Sequence, residues 1–225
     1  MQTDDIRREL FENRDEKFQR FQARLIPNIP SESIIGVRTP LLRKMAKRLY
    51  TEGAEDFLAD VPHGYFEENQ LHFFILSHIK DYDSCVSRVE GFLPYVDNWA
   101  TCDQGSFPIF AKHKEDIPEK IKLWIGSEHT YTVRFAVKLL MQFFLDEDFK
   151  DEYAEMVAGV RHEDYYVKMM VSWYFATALA KQYDRIIPFF EERRLDPWVH
   201  RKAISKAAES YRIYDERKKY LKSLK

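Results

Sequence analysis

The sequence predicts an all-α protein built as an α-solenoid, and three observations predict it. Apolar residues recur at helical spacing along nearly the whole chain, with short breaks and no convincing strand. Glycine is scarce, 7 residues against 17 Phe and 13 Tyr, so tight hairpins and glycine-rich phosphate loops have little to be built from. The segments Val133-Arg134-Phe135-Ala136, Val167-Lys168-Met169-Met170 and Arg201-Lys202-Ala203-Ile204 put a basic residue at 134, 168 and 202, the same interval of 34 both times. A repeat of that length is a helix pair that cannot bury its apolar stripe alone and stacks on its neighbours, which gives a right-handed solenoid of HEAT-like repeats.

Taken in order, Thr3 to Leu25 reads as one amphipathic helix carrying Ile6, Leu10, Phe11, Phe18, Phe21 and Leu25, stopped by Pro27-Asn28-Ile29-Pro30. In Gly36-Val37-Arg38-Thr39-Pro40, Thr39 reads as the N-cap and Pro40 as a first-turn residue of a helix through Leu41, Leu42, Met45, Ala46 and Leu49. Arg38, Arg43, Lys44, Lys47 and Arg48 gather around that N-terminus. This is a setting for a phosphate, and equally for a solvated helix face. Further helices are expected over 53–60, 65–79, 82–94, 97–111, 116–126, 130–145, 148–159, 163–181, 183–193, 197–211 and 214–223. The second helix of each pair would line a concave surface, with residues 1–225 forming one domain.

A chain of 225 residues that is 45% hydrophobic and 15% aromatic can bury a large core. No apolar run is long enough to span a bilayer and no leader pattern opens the sequence, so a soluble cytoplasmic protein is expected; a monomer is the expected state. Cys85 and Cys102 are too few for a disulfide framework or a cysteine zinc site and read as reduced, packed thiols. Seven scattered His form no ligand pair, and no Walker, dinucleotide or Gly-x-Ser-x-Gly motif occurs. Neither metal nor cofactor is expected, and acyl-transfer and nucleotide-dependent chemistry are poor fits.

The formal net charge of −2 conceals an uneven distribution, +4 over residues 1–50, −13 over 51–192 and +7 over 193–225. Basic ends suit a nucleic-acid backbone, and ordinary solvated helix faces would give the same count. Near the middle, Asn98-Trp99 and Asp103 place an indole and a carboxylate four positions apart, one above the other on a helix. In the repeat phase, Trp99 and Asp103, Arg134, and Lys168 with Trp173 fall on successive inner helices. Alone, each of these also has a bland reading, since Trp173 lies in an apolar run and a Trp can be a core anchor beside a surface Asp.

With Gly36-Val37-Arg38-Thr39-Pro40, Trp99, Asp103, Arg134 and Trp173 in that order, the chain resembles the AlkD family of bacterial DNA glycosylases, HEAT-like proteins that remove cationic alkylated purines. The resemblance implies that Asp103 is the catalytic carboxylate, that Trp99 and Trp173 hold the lesion-bearing sugar, and that Arg134 lies near a phosphate. It implies duplex DNA carrying alkylated bases as the partner, hydrolysis of the N-glycosidic bond of 7-methylguanine- and 3-methyladenine-type lesions, and no rotation of the damaged base into a pocket. Arg38, Thr39, Arg43, Lys44, Lys47, Lys168, Arg201 and Lys202 are the expected DNA contacts. The chain departs from the family at Ala176, where members often carry an arginine one turn after the second Trp. A DNA-binding relative without chemistry and a protein-binding solenoid scaffold are the competing readings.

Overall fold

The structure, a computed structural model, describes residues 2–225. Every regular element among the described residues is helical, 14 α-helices with three short 3-10 turns. The chain divides into two compact units, one ending at His113 and the other beginning at Lys114.

The first unit contains α1 (Thr3–Glu12), α2 (Glu16–Leu25), α3 (Thr39–Glu52), α4 (Glu55–Ala59), α5 (Phe66–Leu76), α6 (Tyr82–Phe92) and α7 (Trp99–Gln104). The single helix expected over 3–25 is in fact two. Asp15 accepts from the main-chain N–H groups of Lys17 and Phe18, both at 3.0 Å, so it caps a new helix rather than continuing the old one. Ile6 and Leu10 of α1, Leu42, Met45 and Leu49 of α3, Phe57 of α4, and Leu71 and Phe74 of α5 form one core cluster.

Helix α5 is buried on every face, Glu67 and Glu68 included. These carboxylates stay inside because their lone pairs are used. Glu67 accepts from the N–H groups of Ile35 (2.8 Å), Gly36 (2.7 Å) and Val37 (3.2 Å), and Glu68 accepts from Gly64 N–H, Tyr65 N–H and Arg7 Nε. The Glu67 contacts set the approach of the chain to α3. That helix begins at Thr39 itself, with Arg38 in the cap position and no side-chain cap bond, which corrects the expectation that Thr39 is the N-cap. Pro40 does lie in the first turn. Gly36 has φ of +98°, and a Cβ there would stand 2.5 Å from the Asp15 carbonyl oxygen, so only glycine fits between this loop and α2.

The helix expected over 97–111 stops at Gln104. The Gly105 backbone passes so near the Phe73 ring that a Cβ would lie 2.3 Å from it, and the chain turns there toward Pro108 and a 3-10 turn at Phe110–Lys112.

The second unit contains α8 (Ile117–Ile125), α9 (Thr130–Phe143), α10 (Asp151–Ala158), α11 (Tyr165–Lys181), α12 (Tyr183–Glu191), α13 (Pro197–Glu209) and α14 (Asp215–Ser223). Here the 34-residue period becomes geometry. Short helices alternate with long ones, and α11 packs between α9 and α13, so helices of equal rank stack as an α-solenoid of helical repeats requires. Placement between two neighbours explains why α11 is apolar almost all round. Asp164 and Asp196 cap α11 and α13 by accepting from Tyr166 N–H at 2.7 Å and Trp198 N–H at 2.9 Å. Ion pairs join equivalent positions of adjacent repeats, Lys114 with Asp148 and Arg185 with Asp151, each pair separated by 34 residues.

Candidate nucleic-acid interface

The short helix α7 is fixed at its start by Asn98, which is fully buried. The Asn98 Oδ1 accepts from Thr101 N–H at 2.8 Å, while its Nδ2 donates to Thr101 Oγ1 and to the Asp97 carboxylate. With Oδ1 and both Nδ2 hydrogens of the Asn98 amide engaged, the start of the helix is held in place. Trp99 is the first residue after this cap. Its Nε1–H donates to the Leu25 carbonyl at the end of α2, 3.0 Å away, and its ring packs on the cluster of Ile26, Ile29, Ile34, Phe66 and Ala100. One turn later comes Asp103, half-buried. Neither Trp99 nor Asp103 is lost in the core.

Around the start of α3, Arg38 is exposed and bound to Asp15, Nη2 at 2.7 Å and Nε at 3.1 Å, with its guanidinium over the Phe18 ring. Asp15 is held below the usual carboxylate range by the Phe18 N–H bond first and the Arg38 bond second. Arg43 lies over Phe74, 4.2 Å from the ring centroid, and donates to the Gln104 carbonyl at 3.0 Å. Partial burial pulls its guanidinium below the ordinary arginine value. Lys44 and Lys47 are exposed on the same helix, and Thr39 is half-buried.

In the second unit, Arg134 of α9 is only 4% exposed and its Nη1 donates to the Tyr166 carbonyl at 2.6 Å. Lys168, in the first turn of α11, pairs with Glu163 at 2.9 Å, and that bond raises its pKa. Trp173, further along α11, is 45% exposed in spite of its apolar neighbourhood. On α13, Arg201 is exposed and Lys202 half-buried. Trp173 lines a cleft of ≈ 390 Å³ with residues of α13 and the loop after it.

A family model described as DNA alkylation repair enzyme matches residues 6–207. The chain belongs to the DNA alkylation repair enzyme family. The match runs from α1 into α13, so it takes in α7, the α3 cations, Arg134 and Trp173 alike. Membership places the chain in DNA alkylation repair, with DNA the class of substrate. No curated protein matches it.

Some features of this family member lie outside what sequence reasoning found. Lys206 of α13 sits over the Trp173 ring, 5.4 Å from its centroid. The available signal was the repeat itself, because stepping back 34 positions from Lys206 gives Ser172, beside Trp173. Gln70 of α5 and Gln104 of α7 each carry a buried side-chain polar atom with no protein partner, Nε2 and Oε1, and a single sequence shows no sign of that. Cys102 is fully buried beside Asp103, a poor position for a nucleophile, and burial pushes the Cys85 thiol up to about 12. Among the described residues no group of three or more His, Cys, Asp or Glu is placed to hold a metal ion. No helix among the described residues is long and apolar enough to cross a membrane.

Proposed function

We propose that the protein is a DNA glycosylase of the AlkD type, which hydrolyses the N-glycosidic bond of cationic alkylated purines in duplex DNA without rotating the base out of the stack. The observation that carries this reading is α7. The buried Asn98 cap fixes the start of a helix on which Trp99 and Asp103 stand one turn apart, neither of them buried. Membership in the repair family supports the same reading.

The chemistry suits such a pair. A purine alkylated at N7 or N3 is positively charged, and breaking its glycosidic bond releases a neutral base and moves the charge to the sugar. A general acid is therefore unnecessary. What lowers the barrier is a fixed negative charge beside the developing oxocarbenium, an aromatic face against the sugar, and a positioned water. In the proposal Asp103 supplies the charge and orients the water and Trp99 supplies an aromatic face, and the resemblance gives Trp173 a sugar-facing role of the same kind. Arg38, Thr39, Lys44, Lys47, Lys168, Arg201 and Lys202 provide hydrogen bonds or positive potential for phosphates, and Arg134 and Arg43, held by the Tyr166 and Gln104 carbonyls, add positive potential. Every contact invoked is to sugar or phosphate, so the base can remain stacked, unlike the usual base-flipping arrangement.

The burial of Arg134 favours a second reading, a DNA-binding relative that performs no excision. Release of 7-methylguanine from methylated duplex DNA separates the two. Excision above the spontaneous rate is the expected result. Salt-sensitive duplex binding without release would favour the second reading, and no duplex binding would leave a protein-binding scaffold.

A further inference from the structure

The cleft beside Trp173 has a chemistry of its own. It is lined by Trp173 and Ala176 of α11, Lys206 and Glu209 of α13, and Tyr211 and Arg212 of the following loop. Lys206 places its ammonium over one face of the indole. Burial pulls that ammonium below the ordinary lysine value, and the positive charges of Lys202 and Arg134 act in the same direction, with Glu209 opposing. The Lys206 ammonium thus feels the charges of two other cations and of the Glu209 carboxylate. Such an arrangement is relieved when an anion arrives.

We infer that this cleft seats one phosphodiester group of nucleic acid, with Lys206 as the residue that binds it and Trp173 and Tyr211 flanking the attached nucleotide. The inference rests on the DNA-binding reading above and extends it to a residue outside the motif set. Two features select the ligand. Lys206 holds its ammonium beside the Trp173 ring, so the group it receives is an anion, the phosphate of the nucleic-acid backbone. The aromatic surfaces, Trp173 at 45% and Tyr211 at 88% exposure, suit a sugar or base beside the phosphate and have no use in binding a bare inorganic ion.

The test is a fluorescence-anisotropy titration of the full chain with two duplexes, one intact and one carrying a single tetrahydrofuran abasic analogue, across a range of salt. Lys206→Met should weaken both by the same factor, about 3–10-fold, and make the plot of log affinity against log salt shallower by about 0.9. Lys206→Arg should restore both, and Lys122→Met on α8 should change neither. Glu209→Gln, which leaves Lys206 in place should the methionine variant fail to fold, should tighten binding about 2–5-fold by removing a charge that repels the phosphate. Unchanged affinity and slope in Lys206→Met, or no tightening in Glu209→Gln, overturns the seat while wild-type duplex binding keeps the DNA reading intact. Loss on the abasic duplex alone also overturns it. Competition by millimolar inorganic phosphate at fixed ionic strength, seen with wild type and absent in Lys206→Met, reassigns the seat to free phosphate. Absence of salt-dependent wild-type binding removes both readings together.

Discussion

The Nη2 of Arg43 donates to the main-chain carbonyl of Gln104 at 3.0 Å, and the same guanidinium lies on the Phe74 ring. One side chain of α3 therefore ties α5 to the end of α7, next to Asp103. A cation at the C-terminal end of a helix is favourable both as a hydrogen-bond donor and against the helix dipole.

The neighbouring cations should consequently differ in effect. Lys44→Glu and Lys47→Glu should each weaken binding to damaged and undamaged duplex alike, by about tenfold, with little change in stability. Arg43→Ala should cost about 1–2 kcal/mol of stability and reduce excision more than it reduces binding, because it loosens the residue beside Asp103. Urea denaturation read alongside a binding titration checks this, and equal behaviour of all three variants would contradict it.

The loop before α3 depends on two residues that cannot be exchanged. Gly36→Ala should destabilise by about 1–3 kcal/mol, since its Cβ meets the Asp15 carbonyl and its φ of +98° strains any side chain. Glu67→Gln should cost about 2–3 kcal/mol, because an amide cannot accept all three of the N–H bonds that the carboxylate takes. Shifts of the urea midpoint measure both, and a Gly36→Ala protein as stable as wild type would refute the close-approach argument.

Acid should weaken the first unit through His72. Its ring is buried, stacked on Phe92 and 2.9 Å from His63, and burial first, then the His63 and Arg88 charges, pull its pKa down to about 2. The native state thus holds the ring neutral while the unfolded chain protonates it near pH 6.5. Stability from this group is complete above that value and falls as pH drops below it, by about 2 kcal/mol at pH 5. Glu67 acts in the other direction, since burial raises its pKa and its contribution is lost as pH rises above the ordinary carboxylate value. His72→Phe isolates the effect. Urea midpoints at pH 7.5, 6 and 5 should decline less steeply in that variant than in wild type.

Periodicity carried much of the fold, because stacking of equal-ranked helices is a direct consequence of a repeated apolar stripe and leaves its mark at 134, 168 and 202. Local bonding was harder to read. The break at Asp15 and the start of α3 depend on which side chain reaches which N–H, and the stop at Gly105 depends on the Phe73 ring from another helix. In the first unit the four-residue spacing anticipates that Trp99 and Asp103 stand one turn apart on α7, both half-buried, and in the second the resemblance singles out Trp173, which is exposed in spite of its apolar surroundings. The burial of Arg134 and the approach of Lys206 to Trp173 come from packing between repeats, which a single sequence does not record.

The central claim is that Asp103 opposes the charge developing on the sugar, and the measurement that tests it is single-turnover release of 7-methylguanine at saturating enzyme by wild type and Asp103→Asn, with a binding titration on the same duplex. The amide keeps the size of the side chain and removes its charge. Loss of one preorganised electrostatic partner costs about 3–4 kcal/mol in the transition state, roughly two to three decades in rate. Affinity rests on phosphates and should be unchanged or slightly improved. An Asp103→Asn protein that excises as fast as wild type would contradict the account.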